Sequence, residues 1–229
     1  MKAAVYAGTR NLYSDMMGAA KSLVLNSSVD KVYFLIEDDK FPYYLPDYVQ
    51  CINVSEQKYF DKKCPNVYKL WTYMVLMRTV LTKLFPDLDR ILSLDVDTFV
   101  MRNIDELWDL DLTGYYMAGV EEPLKSKPGL TYVNMGSVMF NLDKLRNDMV
   151  DDRVIKLLNT RQYPFAEQDC MNEQCRPYIL KIPSTYNANA YTKPCEDPKI
   201  IHYATDKKYK TYPIYYQYQN MNWGEARKQ

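Results

Sequence analysis

The most informative stretch of this chain for its fold is Arg90-Ile-Leu-Ser-Leu94, followed directly by Asp95-Val96-Asp97. Its apolar residues predict a short buried strand, and the two acids come where that strand ends. In an extended chain alternate side chains point the same way, so the two carboxylates share one side. Ligands of open α/β sheets bind at the carboxyl ends of the strands, and we therefore expect a functional site here.

The segments around this strand predict an α/β domain with a mostly parallel sheet. Apolar runs alternate with stretches of helical periodicity in the first half of the chain, a pattern typical of βαβ units. We expect strands over 3–7, 31–36, 50–54, 90–94, 115–120, 132–141 and 200–203. We expect helices over 15–25, 67–85 and 150–159, and a further helix that begins near Gln168.

Composition limits the classes of function that the chain can have. Its 229 residues include 29 Lys and Arg against 29 Asp and Glu, a balance that argues against nucleic-acid binding. No apolar stretch reaches the roughly 18 residues of a membrane span, and the five scattered cysteines indicate free thiols. We expect a cytoplasmic protein, in contact with the inner face of a membrane at most peripherally. We also expect one domain over 1–229, with 209–229 as a C-terminal appendage.

The acids Asp95 and Asp97 and the sole histidine, His202, form a candidate metal-binding set. Carboxylates suit Mg²⁺ or Mn²⁺, and such ions bridge the oxygens of phosphates. His202 ends an apolar run and is followed by Lys207 and Lys208, which can hold a diphosphate by charge. A lone histidine also suits a packed, hydrogen-bonded position, so the pattern by itself leaves both interpretations open.

The order of several short segments resembles the family 8 glycosyltransferases over most of the chain. The opening Ala7-Gly8-Thr9-Arg10-Asn11-Leu12-Tyr13 resembles the uridine-binding loop of that family, with Tyr13 at its base-contacting aromatic. Arg78 matches the family arginine that faces the donor sugar and phosphates. Asp95-Val96-Asp97 resembles the metal-binding Asp-x-Asp. The resemblance implies a GT-A fold, a Rossmann-like sheet flanked by helices with a small second sheet around the metal site.

Two further segments of the resemblance lie in the second half of the chain. In Asn134-Met135-Gly136-Ser137, the asparagine would contact the donor sugar and the glycine would allow close approach of the backbone. Glu167-Gln168-Asp169 is similar to the family's Asp-Gln-Asp, with a first acid that is longer by one methylene. A hairpin turn and an acidic first helical turn are the plain structural alternatives for these two segments.

The last segment, His202-Tyr203-Ala204-Thr205-Asp206-Lys207-Lys208, resembles the family's closing His-x-x-Gly-x-x-Lys. His202 matches the metal histidine and Lys208 matches the phosphate lysine. Thr205 stands at the usual glycine, and Tyr209 stands where the family often has proline. The resemblance therefore implies a closing segment whose backbone departs from the family at the glycine position.

The resemblance implies a retaining hexosyltransferase. It would move glucose or galactose from a UDP-sugar to a glycan, lipid-linked or protein acceptor, with Mn²⁺ or Mg²⁺ held by Asp95, Asp97 and His202. The implied catalytic residues are Gln168, Arg78 and Asp169. The implied donor-binding residues are Ala7, Gly8, Thr9, Tyr13, Arg78, Asp95, Val96, Asn134, Gly136, Glu167, Gln168 and Lys208.

Two other classes of function stay open at this level. The stretch Leu94 to Thr98 also fits the Asp-x-Asp-x-Thr of haloacid-dehalogenase-like phosphatases, with Asp95 as nucleophile and Asp97 as acid or base. That motif normally opens its domain, and here it follows almost a hundred residues. The second alternative is a non-catalytic sugar-nucleotide-binding module that kept the fold.

Overall fold

The computed structural model describes residues 1–61, 63–67 and 72–227, which form two β-sheets and helices around them. The strands are β1 (Ala3–Ala7), β2 (Lys31–Ile36), β3 (Val49–Asn53), β4 (Arg90–Leu94), β5 (Thr98–Val100), β6 (Met117–Glu121), β7 (Val133–Asn141), β8 (Ile179–Ile182) and β9 (Ile200–His202). The strands predicted over 3–7, 31–36 and 90–94 are confirmed at those bounds. The other predicted strands are confirmed with ends that shift by one or two residues.

The larger sheet has seven strands in the order β3-β2-β1-β4-β7-β6-β8. Strand β7 is antiparallel to both of its neighbours, and the remaining pairs in the sheet are parallel. The carboxyl ends of β1, β4 and β6 therefore lie at one edge of the sheet, together with the start of β7. The small sheet pairs β5 with β9 in antiparallel fashion and opposes Thr98 to His202.

Helices flank the sheet, and two of them begin at or next to functional candidates. They are α1 (Tyr13–Leu25), α2 (Tyr73–Leu76), α3 (Leu81–Leu84), α4 (Leu142–Asn147), α5 (Val150–Thr160), α6 (Ala166–Cys175), α7 (Pro213–Asn220) and α8 (Trp223–Ala226). Short 3₁₀ turns cover Arg10–Leu12, Met77–Val80, Asp105–Leu107, Ser184–Tyr186 and Tyr209–Thr211. The helices predicted over 15–25 and 150–159 and near Gln168 are confirmed as α1, α5 and α6.

The core lies on both faces of the large sheet because its central strands are buried on both sides. Ala3 and Val5 of β1 pack into one hydrophobic cluster, whereas Ala4 and Tyr6 pack into another on the opposite face. This double burial explains why β1 is a continuous apolar run rather than an alternating one. The polar groups of the candidate site are consequently confined to the strand ends.

The long helix predicted over 67–85 differs from the structure. Its start lies partly in residues 68–71, outside the described residues, and the rest is α2, the 3₁₀ turn Met77–Val80 and α3. Thr79 and Val80 are β-branched, which lowers their preference for an α-helix. The tighter turn presents Arg78 toward the acids at the end of β4.

The segment from 209 to 227 packs against α1. Ser14 donates to Gln219, Lys21 donates to the carbonyl of Gln219, and Asp15 accepts from Tyr209. Tyr218 stacks on Phe99 of β5 with ring centroids 5.7 Å apart. Among the described residues, no helix has both the length and the apolar character that crossing a bilayer requires.

Candidate active site

The two acids after β4 lie beside the histidine at the end of β9. Ligand atoms of Asp95, Asp97 and His202 all fall within 4.8 Å of one another. His202 Nε2 is 3.6 Å from Asp95 Oδ2 and 3.3 Å from Asp97 Oδ1. Two carboxylates and an imidazole are a donor set that Mn²⁺ accepts, so these residues fit the implied metal. No other group of three or more metal-ligating side chains at this spacing occurs within the described ranges.

The backbone explains why these three side chains meet. The N–H of Asp95 donates to the carbonyl of Gly136 at 2.9 Å, which continues the β4–β7 pairing past the end of the strand. The hydroxyl and the N–H of Thr98 both donate to the carbonyl of Asp95, so the chain turns within one residue of Asp97. Strand β5 then opposes Thr98 to His202. The Asp-x-Asp turn and the small sheet thus place the histidine over the acids.

A buried chain of side chains fixes the tautomer of His202. The Glu122 carboxylate accepts from Asn134 Nδ2 at 2.6 Å, so Asn134 Oδ1 faces the other way and accepts from the N–H of Gly136. The same Oδ1 accepts from Asn187 Nδ2 at 2.9 Å. Asn187 Oδ1 must then accept from His202 Nδ1, 2.9 Å away. The proton therefore resides on Nδ1, and Nε2 faces the acids as the atom that could ligate a metal ion.

Glycine is required at position 136 because the imidazole lies directly against it. A Cβ at this position would lie 2.1 Å from His202 Cε1 and 2.3 Å from Nδ1. Real Cβ atoms do not approach other atoms that closely. The sequence interpretation assigned close approach of a donor to this glycine, and the group that approaches it in the structure is the His202 ring.

The Arg78 side chain is 9% exposed and faces two acids. Its guanidinium forms an ion pair with Asp95, donates to the carbonyl of Met135, and lies 3.6 Å from Glu167. Burial lowers the pKa of Arg78, but Asp95 and Glu167 outweigh it and the net shift is upward. The arginine therefore stays charged and is held by the two acids.

Glu167 is a buried carboxylate at the start of α6. Burial raises its pKa to about 7, although the neighbouring Arg78 acts in the opposite direction. Within the described part of the chain, neither Glu167 Oε2 nor Arg78 Nε has a hydrogen-bond partner. Unsatisfied buried polar atoms are costly, so this pair is suited to hydroxyl or phosphate groups of a bound ligand.

The other residues of α6 that were candidates for catalysis are held by protein contacts. Gln168 Oε1 accepts from the N–H of Met135 at 3.0 Å, and its Nε2 donates to Tyr132 and Glu122. Asp169 accepts from the Tyr132 hydroxyl and from the N–H of Phe165. Both side chains therefore fix the start of α6 against β7.

The loop after β1 ends at Tyr13, the residue expected to contact a base. Tyr13 is only 1% exposed, and its ring packs against Phe41 with centroids 4.9 Å apart. Its hydroxyl donates to Asp38 and accepts from the N–H of Glu37. The ring that was expected to contact a base is therefore enclosed by the segment after β2, while Thr9 stays partly exposed.

The remaining donor candidates differ in their exposure. Ala7 and Val96 are half-buried, and Gly8 is buried where a Cβ would meet Met16 Sδ at 2.9 Å. Lys208 is exposed, and its backbone N–H donates to Asp206. The structure thus brings Arg78, Asp95, Asp97, Asn134, Gly136, Glu167 and His202 into mutual contact through one network. Lys208 and Tyr13 are outside that network.

Two residues of the network, Glu122 and Asn187, were not predicted from the sequence. Glu122 follows β6 as Asp95 follows β4, and an acid at the end of a parallel strand was the signal that could have identified it. Its side chain also pairs with Lys125 at 3.0 Å. Asn187 follows the 3₁₀ turn Ser184–Tyr186 and is fully buried, but no periodicity or spacing marks it.

Comparisons with known proteins agree with this geometry. The family model for glycosyl transferase family 8 matches residues 5–210. A Haemophilus influenzae protein named as a glycosyltransferase is 28% identical over 123 residues, which cover 48% of this chain and 37% of that protein. The match to glycosyltransferase GlyF of Streptococcus pneumoniae is 25% identical and covers 60% of this chain and 39% of GlyF. The chain therefore matches about half or less of the length of these curated relatives.

Solved structures share the whole fold. The galactosyltransferase LgtC, solved with donor and acceptor sugar analogues, superimposes with a TM-score of 0.71 at 17% identity over 95% of each chain. GlyE of S. pneumoniae gives a TM-score of 0.74 at 20% identity over 99% of this chain and 62% of GlyE. The fold is thus that of the GT-A glycosyltransferases. The chain belongs to glycosyl transferase family 8.

Neither alternative class of function is supported. The distal acidic pair that a phosphatase would need, Asp151 and Asp152, lies in the first turn of α5 and pairs with Lys83. Asp97 meets His202 and Arg78 lies on Asp95, which the phosphatase interpretation does not explain. The intact set of three candidate metal ligands also gives no support to a module that has lost metal binding.

Proposed function

We propose that the chain transfers a hexose, glucose or galactose, from a UDP-sugar to the hydroxyl group of a glycan, lipid-linked or protein acceptor. The observation that carries this proposal is the contact of a three-residue candidate metal set with the Arg78–Glu167 pair, which has buried polar atoms without hydrogen-bond partners in the described chain. A diphosphate needs positive charge, and a sugar needs hydrogen-bonding partners next to it. The site offers both at one strand edge.

Asp95, Asp97 and His202 would hold Mn²⁺ or Mg²⁺. When bound, such an ion neutralises the charge that develops on a departing diphosphate. Arg78 would add a fixed positive charge next to the donor sugar and phosphates, and Lys208 would add a second one next to the diphosphate. Ala7, Gly8, Thr9, Tyr13 and Val96 are proposed to bind the nucleotide. For Tyr13 this requires that Phe41 move off its ring on binding.

Glu167 is proposed to bind a donor-sugar hydroxyl through its free oxygen. Asn134, Gly136 and Asp169 support the site indirectly, since their polar groups are occupied by protein partners. Gln168 accepts from the N–H of Met135 and is a poor nucleophile, which favours front-face attack by the acceptor with retention of configuration. The leaving UDP and the incoming hydroxyl would then share one face of the sugar.

The experiment is UDP release from a panel of UDP-sugars, with and without Mn²⁺, for the wild type and Asp97→Ala. We expect release that requires the metal and is lost in the variant. The sugar that supports the fastest release identifies the donor, and the anomeric configuration of the product tests retention. Release of phosphate from simple phosphomonoesters, with no UDP from any donor, would contradict the proposal.

A further inference from the structure

The loop after β9, residues 203–208, is called the closing loop here because it follows the metal-site histidine directly. Thr205 lies in it with φ of 64°, in the left-handed region. That conformation is a genuine outlier for a β-branched residue and persists only where the surroundings hold it. The closing loop therefore needs anchors at both of its ends.

The first anchor is the backbone at the metal site. The N–H of Tyr203 donates to the carbonyl of Asp97 at 3.0 Å. Within the loop, the Thr205 hydroxyl lies 3.0 Å from the hydroxyl of Tyr191, and Asp206 accepts from the N–H of Lys208 at 2.9 Å. These last contacts are exposed, so water competes for them.

The second anchor is buried, and it is supplied by α1. Asp15 is 1% exposed, and it accepts from the Tyr209 hydroxyl at 2.6 Å and from Lys210 Nζ at 2.7 Å. Burial, followed by the hydrogen bond to Asp15, raises the pKa of Tyr209, so its hydroxyl remains a donor. A buried carboxylate with a charged and a neutral donor is a strong fixed point.

We propose that Asp15 is a positioning residue that holds the closing loop in its strained conformation and thereby sets Lys208 beside the nucleotide diphosphate. This inference rests on the proposed function of the site. Helix α1 begins directly after the candidate nucleotide loop, so a single carboxylate ties together the two loops that border the proposed nucleotide. Asp15 touches neither substrate nor metal in this arrangement and acts only through Tyr209 and Lys210.

The test compares Asp15→Asn and Tyr209→Phe with the wild type, after thermal unfolding shows that each variant folds. The first readout is the affinity for UDP in the presence of Mn²⁺, measured by calorimetry. The second is the rate of tryptic cleavage after Lys207 and Lys208, which needs no ligand. We expect about tenfold weaker UDP binding, because the competent loop becomes a minor population, and faster cleavage at these two lysines.

Rescue by glycine separates positioning from general stability. Glycine has no steric penalty at φ of 64°, so Thr205→Gly in the Asp15→Asn background should restore most of the UDP affinity. A merely structural role of Asp15 would not be corrected by a substitution in the closing loop. The matched control is Ser14→Ala, which removes a contact between α1 and Gln219 and should change neither readout.

Wild-type UDP affinity and cleavage rates in Asp15→Asn, or a loss that Thr205→Gly does not rescue, would overturn the inference. A wild-type protein that binds no UDP with Mn²⁺ would instead contradict the proposed function. In that case the cleavage rates alone decide whether Asp15 holds the closing loop.

Discussion

The acid–histidine cluster and the closing loop are neighbours in the chain, yet they are held in opposite ways. His202 is buried, and its orientation is fixed through Asn187, Asn134 and Glu122. Three residues later, Thr205 is exposed and strained, and the loop depends on an anchor at Asp15. Residues at strand ends are thus positioned by the sheet, whereas residues in the loop are positioned by specific partners.

The largest effect is expected from Gly136→Ala, which disturbs the acid–histidine cluster that the sheet positions. The added methyl group would lie 2.1 Å from the His202 ring, so the imidazole must leave its place over the acids. We expect loss of Mn²⁺-dependent UDP release by about 1000-fold, the scale of several kcal/mol that a bound metal supplies.

Ser137→Ala is the matched control for that variant. Ser137 is the next residue of β7, and within the described chain its buried hydroxyl has no hydrogen-bond partner. Its removal should leave UDP release within about twofold of the wild type. Equal losses of UDP release in Gly136→Ala and Ser137→Ala would mean that any change in β7 lowers activity, and that the clash with the His202 ring is not the cause.

Asn187→Leu tests the fixed tautomer of His202. The variant removes the acceptor for His202 Nδ1 and the donor to Asn134 while keeping the number and branching of the side-chain heavy atoms. Loss of such outer partners typically weakens metal binding 10- to 100-fold, and we expect a change of about that size in Mn²⁺ affinity by calorimetry. Asn187→Asp keeps the acceptor and should lose less. Equal Mn²⁺ affinities for the wild type and Asn187→Leu would contradict the proposed role of Asn187.

Glu167→Gln tests the buried acid at the start of α6 through the pH dependence of stability. Burial raises the pKa of Glu167 from its ordinary 4.5 to about 7, so the folded state binds more protons than the unfolded state between these values. Stability contributed by the protonated acid is therefore lost as pH rises through that window.

Between pH 4.5 and 7, we expect the free energy of unfolding of the metal-free wild type to fall by on the order of 2 kcal/mol more than that of Glu167→Gln. Chemical denaturation at several pH values measures the difference. Because every other titrating group is common to both proteins, parallel stability curves would show that Glu167 is ionised as readily as an exposed acid.

The smallest effect is expected at the strained start of α6. Ala166 has φ of 41°, next to Glu167. Glycine removes the steric cost of this conformation but adds freedom to the unfolded chain, and we expect Ala166→Gly to stabilise by at most about 1 kcal/mol. Ala19→Gly in the middle of α1 should destabilise by about 1 kcal/mol or more. Thermal unfolding measures the stability of both variants. Equal losses of stability in Ala166→Gly and Ala19→Gly would contradict backbone strain at Ala166.

The sequence predicted the parts of the molecule that depend on strands. The apolar run before Asp95 fixed the position of the acids, and the place of His202 at the end of another run was correct. The sequence did not reveal Asn187 or the true neighbour of Gly136, because both depend on a contact between β7 and the segments after β8. Such contacts between distant segments leave no local periodicity.

The resemblance to the family gave no sign of how Tyr13 is packed. Tyr13 matches a base-contacting aromatic by position, and in the structure its ring packs against Phe41. The Tyr13 hydroxyl donates to Asp38 and accepts from the N–H of Glu37, and both of these residues follow β2. Long-range packing therefore decides whether an aromatic residue in this loop faces a ligand or the core.

The most direct test of the account is the binding of Mn²⁺ itself, followed by the electron paramagnetic resonance signal of the free ion. In the presence of UDP, we expect the wild type to remove one Mn²⁺ per chain from solution and Asp97→Asn to remove none under the same conditions. Equal uptake by the two proteins, or no uptake by the wild type, would contradict a metal centre at Asp95, Asp97 and His202.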